Sequence, residues 1–187
     1  MNIKGKKVII RSKKPSDAGN DYKWQTDPEL SALDAMIPTT MSFREFYREY
    51  INWLRHPYAG RITFGVDTPE GKHIANCVYY NIDELNQQTE IGIMIGDRDY
   101  WNKGYGADII STLIDYVFSL NKFKRVYLKT LDDNHRARKC FEKCGLTACG
   151  HREMDGYYFL LMDLNFAKWQ ELKQLNKKSL NPFLNYF

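Results

Sequence analysis

Cysteine is scarce in this chain, with four in 187 residues, at 77, 140, 144 and 149. Four thiols can form a metal or disulfide set. Here Cys140 and Cys144 share a helix face with Ala137 and Phe141, as small core residues do, and no second ligand pair stands near them at zinc spacing. Reduced thiols, no metal site and a reducing compartment are therefore expected. Long hydrophobic runs are also missing. Lys4, Lys6 and Lys7 are not followed by an apolar run of signal-peptide or membrane-span length, so the expected location is the cytoplasm, with no membrane partner. Nor does one sign of charge dominate, since 27 Lys and Arg against 23 Asp and Glu leave +4. Such mild, scattered basicity suits a small anionic ligand. It argues against nucleic acid, which calls for a clustered basic face with interleaved aromatics. There is no internal repeat, low-complexity stretch or linker.

What the chain does have is 43% hydrophobic and 14% aromatic residues, enough to bury the core of one domain. Its organising stretch runs from Glu90 to Phe118. Ile91, Ile93 and Ile95 alternate with Gly92 and Met94, the two-residue repeat of a strand. Ile109, Ile110, Leu113, Ile114, Val117 and Phe118 then recur at helical spacing. Between them lies Asn102-Lys103-Gly104-Tyr105-Gly106-Ala107. A strand, a glycine-containing loop and a helix N-terminus in succession leave several N–H groups unsatisfied, and glycines let backbone approach a ligand closely. That pattern fits a phosphate or pyrophosphate. A second segment repeats the scheme, with a strand from Val126, Asn134 as helix cap and Gly145 as helix end.

The two segments together resemble the GCN5-related N-acetyltransferases, the GNAT superfamily. Gly104-Tyr105-Gly106 is similar to the end of its acetyl-CoA pyrophosphate loop, and Asn134-x-Arg-Ala-x-x-x-Phe141-x-Lys-x-Gly145-Leu146 to its second cofactor-side motif. Asp27-Pro28-Glu29-Leu30 and the run from Tyr100 to Tyr105 most resemble the RimJ/RimL-like branch. The resemblance implies an α/β (α+β) fold with a mixed, largely antiparallel sheet of about seven strands and helices on both faces. It implies one acetyltransferase domain over 1–165 and a partly helical tail over 166–187. It also implies acetyl-CoA as co-substrate, held by the main chain of Ile93, Met94 and Ile95, by residues 102–107, and by Asn134, Arg136 and Phe141. Arg98, Lys103, Arg138 and Lys139 are further cations near the two motifs.

Element by element, strands are expected over Lys7 to Arg11, Arg61 to Asp67, His73 to Ile82, Thr147 to Glu153 and Tyr157 to Leu164. Pro15-Ser16-Asp17 opens a segment that reaches Trp24 and a turn at Asp27-Pro28-Glu29. Ser42 with Glu45 forms a capping box for a helix carrying Phe43, Phe46, Tyr47 and Tyr50, and these aromatics with Trp24 are candidates to line an acceptor site. Helix in the tail is expected as far as Leu175, before Asn181-Pro182. Phe183, Tyr186 and Phe187 are candidates for docking on the domain or on a second subunit, which leaves a homodimer open.

Acetyl transfer to an amine needs a neutral nitrogen, stabilisation of the thioester oxygen and an acid for the leaving thiolate. The tyrosine that many relatives of the resembled family use as that acid is Phe141 here, and the acidic residue that some relatives carry on the strand from Val126 is Lys129. Trp101 and Asn102 also depart from the family's loop. The remaining candidates are Glu90 as general base acting through water, and Cys140, Tyr157 or Tyr158 as acid. The acceptor is a primary amine, either a protein N-terminus or a small molecule. The alternative is a non-catalytic acyl-CoA-binding or sensing protein.

Overall fold

The computed structural model describes residues 1–180, with side chains as far as Leu175. Phe183, Tyr186 and Phe187 lie outside the described residues. Eight strands form one sheet in the order β1-β2-β3-β4-β5-β6-β8-β7. They are β1 (Asn2–Lys4), β2 (Ile9–Ser12), β3 (Arg61–Asp67), β4 (His73–Asp83), β5 (Gln88–Ile95), β6 (Arg125–Leu131), β7 (Thr147–Met154) and β8 (Tyr157–Asn165). The eighth strand beyond the expected seven is β1, three residues too short to show a period, which exists because it pairs with β2. Every neighbouring pair is antiparallel except β5 with β6.

That one parallel pair creates the site. β5 and β6 are paired only over Gln88–Arg125, Thr89–Val126 and Glu90–Tyr127. Beyond them β5 stays bonded to β4 as far as Ile95, and β6 to β8 as far as Leu131, so the two strands diverge. The edge of β5 from Ile91 onward therefore has no strand beside it, although the backbone there still carries donors and acceptors.

Helices cover both faces. α4 (Tyr105–Ser119) buries Ile109, Ile110, Leu113, Ile114, Val117 and Phe118 against β-residues such as Phe64, Cys77 and Ile91. On the opposite face α1 (Ala18–Gln25) meets Asn76 of β4, whose Nδ2 donates to Asp21 Oδ1 at 2.7 Å. Trp24 of α1 lies so close to Gly96 that a Cβ there would come within 2.0 Å of the indole, and this contact fixes α1 on the end of β5. Asp27-Pro28-Glu29 is not merely a turn. The Asp27 carboxylate accepts from the amides of Glu29 and Leu30, Pro28 sits where a helix needs no donor, and α2 (Pro28–Leu33) follows. α3 (Phe43–Arg55) carries the expected Ser42/Glu45 capping box. α5 (His135–Lys143) follows β6, and α6 (Phe166–Leu180) runs beyond the expected Leu175. Phe166, Trp169 and Leu172 of α6 pack on the core, with Trp169 Nε1 donating to Asp115 at 2.7 Å.

Candidate functional site

A cavity of about 520 Å³ opens where β5 and β6 part. Three groups of residues wall it: Ile93, Met94 and Ile95 from the free edge of β5; Asn102, Gly104, Gly106 and Ala107 from the loop and first turn of α4; and Asn134, Arg136 and Phe141 among others from α5. Residues 41 positions apart thus face one space because β6 returns parallel to β5 before α5 starts. Gly104 caps α4 with φ +82°, the left-handed region that side chains other than glycine and asparagine avoid, and Asn102 before it has φ +57°. The first backbone bond of α4 runs from the Asp108 N–H to the Gly104 carbonyl, so the amides of Tyr105, Gly106 and Ala107 precede the helical ladder. They form the positive end of a fifteen-residue helix.

Asn134 sits at the start of α5 and accepts from the Ala137 amide at 3.1 Å. Asn134→Ala should lower stability by about 1 kcal/mol through the lost cap. If thermal melting shifts while ligand affinity at the cavity does not, the residue serves the helix alone.

Other expected residues are spread more widely. Lys103 and Tyr105 belong to the loop but not to the cavity wall, and Tyr105 packs edge-on against Tyr100. Arg136 lies in the wall with its guanidinium 3.6 Å from the centre of the Trp101 ring, whose Nε1 donates to the Ile95 carbonyl at 2.8 Å. Arg98 is turned away to Asp27 and Glu29, and Arg138 to the Asp132 carbonyl. Lys139 is in the wall.

Glu90 is buried outside the wall, with both oxygens engaged. Oε1 accepts from Tyr80 Oη at 2.5 Å and Lys129 Nζ at 2.9 Å, and Oε2 from Asn81 Nδ2 at 2.8 Å. Cys140 is in the wall, and contact with Cys144 together with burial pushes its thiol well above the ordinary range. Tyr157 and Tyr158 are exposed on the β7–β8 hairpin, away from the wall, with Tyr158 stacked on His151. Trp24, Phe43, Phe46, Tyr47 and Tyr50 are also outside it. Trp24 lies between His73 and Gly96, Phe46 and Tyr50 build a small second core with Ala18, and Phe43 and Tyr47 are exposed.

Two contributors were not legible beforehand. Leu30 and Leu33 of α2, with Asp34 just after it, line the cavity, and the Asp-Pro-Glu helix start was the signal that would have shown a helix there. Lys7 stands beside the glycine loop, its Nζ donating to the Lys103 carbonyl at 2.8 Å, and no local pattern links positions 96 residues apart.

Residues 7–147 match the acetyltransferase (GNAT) domain family. The chain belongs to the GNAT acetyltransferase family. This GNAT acetyltransferase is 27% identical over 172 residues to the uncharacterized N-acetyltransferase p20 of Bacillus licheniformis, covering 86% of this chain and 96% of that protein. Its fold is similar to the crystal structure of spermidine N-acetyltransferase from Vibrio cholerae in complex with CoA and spermine, with TM-score 0.76, 19% identity and coverage of 88% and 98%. It is similar again to an aminoglycoside acetyltransferase in complex with coenzyme A, with TM-score 0.75, 15% identity and coverage of 89% and 99%. Among the described residues no group of three or more His, Cys, Asp or Glu side chains is placed to hold a metal ion, and no helix is long and apolar enough to cross a membrane.

Proposed function

We propose that this protein transfers the acetyl group of acetyl-CoA to a primary amine of a small molecule by direct attack, with donor and acceptor bound together. The observation that carries this reading is that one cavity is walled jointly by the unpaired edge of β5, the glycine loop and α5. A diphosphate fits the amides of residues 105 to 107 at the positive end of α4, with Lys7, Arg136 and Lys139 close by as cations. An extended amide chain fits the free edge of β5, where it completes the ladder that β6 abandons. The co-substrate supplies an activated thioester, and the chain's part is to hold it, orient it and polarise its carbonyl through main-chain donors.

The proton steps fall to few residues. Phe141 offers no donor, and Cys140 carries a thiol held protonated in the wall. Glu90 has three donors on it, so its part is to hold Tyr80, Asn81 and Lys129 together on the sheet. Departure of the thiolate without an acid remains open to the enzyme, because an ordinary thiol has a pKa of about 8.5 and its anion is a fair leaving group.

Small amines are favoured over the protein N-terminus that a RimJ/RimL-like assignment implies, because the similar structures are of enzymes named for spermidine and aminoglycosides. The test is CoA release over a panel of polyamines, amino sugars and peptide N-termini, beside calorimetric titration of acetyl-CoA. Small amines should turn over and peptides should not. Tight acetyl-CoA binding without turnover of any amine would replace this reading with an acyl-CoA sensor.

A further inference from the structure

One indole in the cavity wall gathers two guanidinium groups. Trp101 is fixed first to the sheet, because its Nε1 donates at 2.8 Å to the carbonyl of Ile95, the last residue of β5. The guanidinium carbon of Arg136 lies 3.6 Å from the middle of that ring and the guanidinium carbon of Arg98 lies 5.5 Å from it, both within reach of the π face. Like charges brought to one ring repel, so each calls for an anion nearby. Arg98 has two, donating to Asp27 and Glu29 at the start of α2 through bonds of 2.7 to 3.0 Å. Arg136 makes no ion pair among the described residues, and it shares the cavity wall with Asn102, Gly104 and Gly106 of the glycine loop.

The helix that carries Arg136 repeats the imbalance. α5 has no acidic residue in its first turn, where the helix dipole favours one, and it places Arg136 and Arg138 there instead. Arg138 is answered by Asp132 at 3.7 Å, which leaves Arg136. Arg136 is also exposed, and a long side chain on a helix surface samples many rotamers unless something confines it. Here the confining contact is the indole, itself anchored to β5. We propose that Trp101 is a positioning residue that holds Arg136 against the diphosphate of acetyl-CoA. This deepens, and rests on, the acetyl-transfer reading above. A guanidinium can keep its face on the ring and still offer two parallel N–H donors to phosphate oxygens, which an ammonium cannot do.

The test is calorimetric titration of the full chain with CoA and with dephospho-CoA, which lacks the ribose 3′-phosphate, at several salt concentrations. Arg136→Met should weaken both ligands by the same factor, roughly tenfold, and flatten the dependence of affinity on salt. Trp101→Leu removes no charge, yet it should weaken both about as much and flatten the salt dependence too, because the charge it holds in place is released. The double variant should match either single one within about twofold, since neighbours that act as one unit are not additive. Arg136→Lys should recover only part of the loss. Melting temperature controls for folding, and Trp101→Met carries the same expectation should Trp101→Leu fail to fold. Effects of the two positions that multiply, or wild-type salt dependence in a folded Trp101 variant, overturn the proposal. So does a cost confined to CoA, which would place Arg136 at the 3′-phosphate. A wild type that binds neither ligand defeats the acetyl-transfer reading, whereas tight binding unchanged by Arg136→Met defeats the Trp101–Arg136 pair alone.

Discussion

Arg11→Met should cost about 3–5 kcal/mol of folding stability, the range for removing one partner of a buried ion pair. The guanidinium donates to Asp67 through Nε at 2.7 Å and Nη2 at 2.6 Å, and to Asp17 through Nη1 and Nη2, each at 2.7 Å. Gly65 makes room for it, since a Cβ there would lie 2.3 Å from Nη1. Asp17 is 1% exposed, so water cannot replace the lost donors, and two carboxylates would be left buried beside Asp21. The penalty is the stranded charge rather than the worth of the pair. Asp17→Asn and Asp67→Asn added to Arg11→Met should therefore recover part of the loss. Urea unfolding measures it, and a cost below about 1 kcal/mol would show that the network relaxes or hydrates.

The same cluster makes acid destabilising. Burial, and then the charge of Lys13, hold His73 neutral below the usual histidine range, and among the described residues its Nδ1 has no hydrogen-bond partner. A depressed folded pKa means that the unfolded chain takes up the proton first, so stability falls as pH drops through about 6.5. For Asp17 burial raises the pKa, but hydrogen bonds from Arg11 and the charge of Lys13 outweigh it and the net shift is downward. Its contribution is present above about pH 3.9 and is lost as pH falls through the lower folded value. Both groups act in one direction, His73 from about pH 6.5 downward and Asp17 only below about pH 3.9, so the melting temperature should begin to fall near pH 6.5 through His73 and fall further below pH 4 through Asp17.

Gly104→Val should weaken acetyl-CoA roughly 10²-fold or more while leaving the protein folded. Nothing blocks a side chain at this position, where the nearest atom to a Cβ is Lys7 Nζ at 3.7 Å. The obstacle is φ +82°, which costs an L-residue about 1–2 kcal/mol and more when it is β-branched. The loop relieves the strain by rotating, and the amides of residues 105 to 107 leave their common focus. Losing two charge-assisted hydrogen bonds at about 1.5 kcal/mol each gives the stated factor. Calorimetric titration decides it, and unchanged affinity in a folded Gly104→Val protein would place the diphosphate elsewhere. Gly104→Asn is the internal control, because asparagine tolerates the left-handed region and should retain most of the affinity.

Local chemistry made much of the architecture readable. The Ser42/Glu45 box, the Asn134 cap and the change of period at residues 96 to 104 are each decided within a few residues, where propensity and hydrogen bonding act. The same locality explains the misses. β1 exists only through its pairing with β2, and Asp27-Pro28-Glu29 reads as a turn until the helix behind it is seen to carry Leu30, Leu33 and Asp34 into the cavity. The aromatic stripe of α3 gave the right helix but not that Phe46 and Tyr50 pack with Ala18, because periodicity shows that a face is apolar and not what covers it.

From the sequence by itself come the two glycine-and-cap motifs and their order, since these depend on backbone conformations that glycine and asparagine permit at fixed positions. The tertiary structure alone decided that β5 and β6 part after Glu90 and leave an unpaired edge. It alone decided that Glu90 is shared by Tyr80, Asn81 and Lys129, and that Asp34 lies in the cavity wall. Partners separated by 39 or 56 positions, as in Lys129–Glu90 and Arg11–Asp67, are brought together by sheet register and helix packing. A carboxylate's environment, and hence whether it is structural or free to bind a ligand, is a property of that assembly and leaves no trace in the residues beside it.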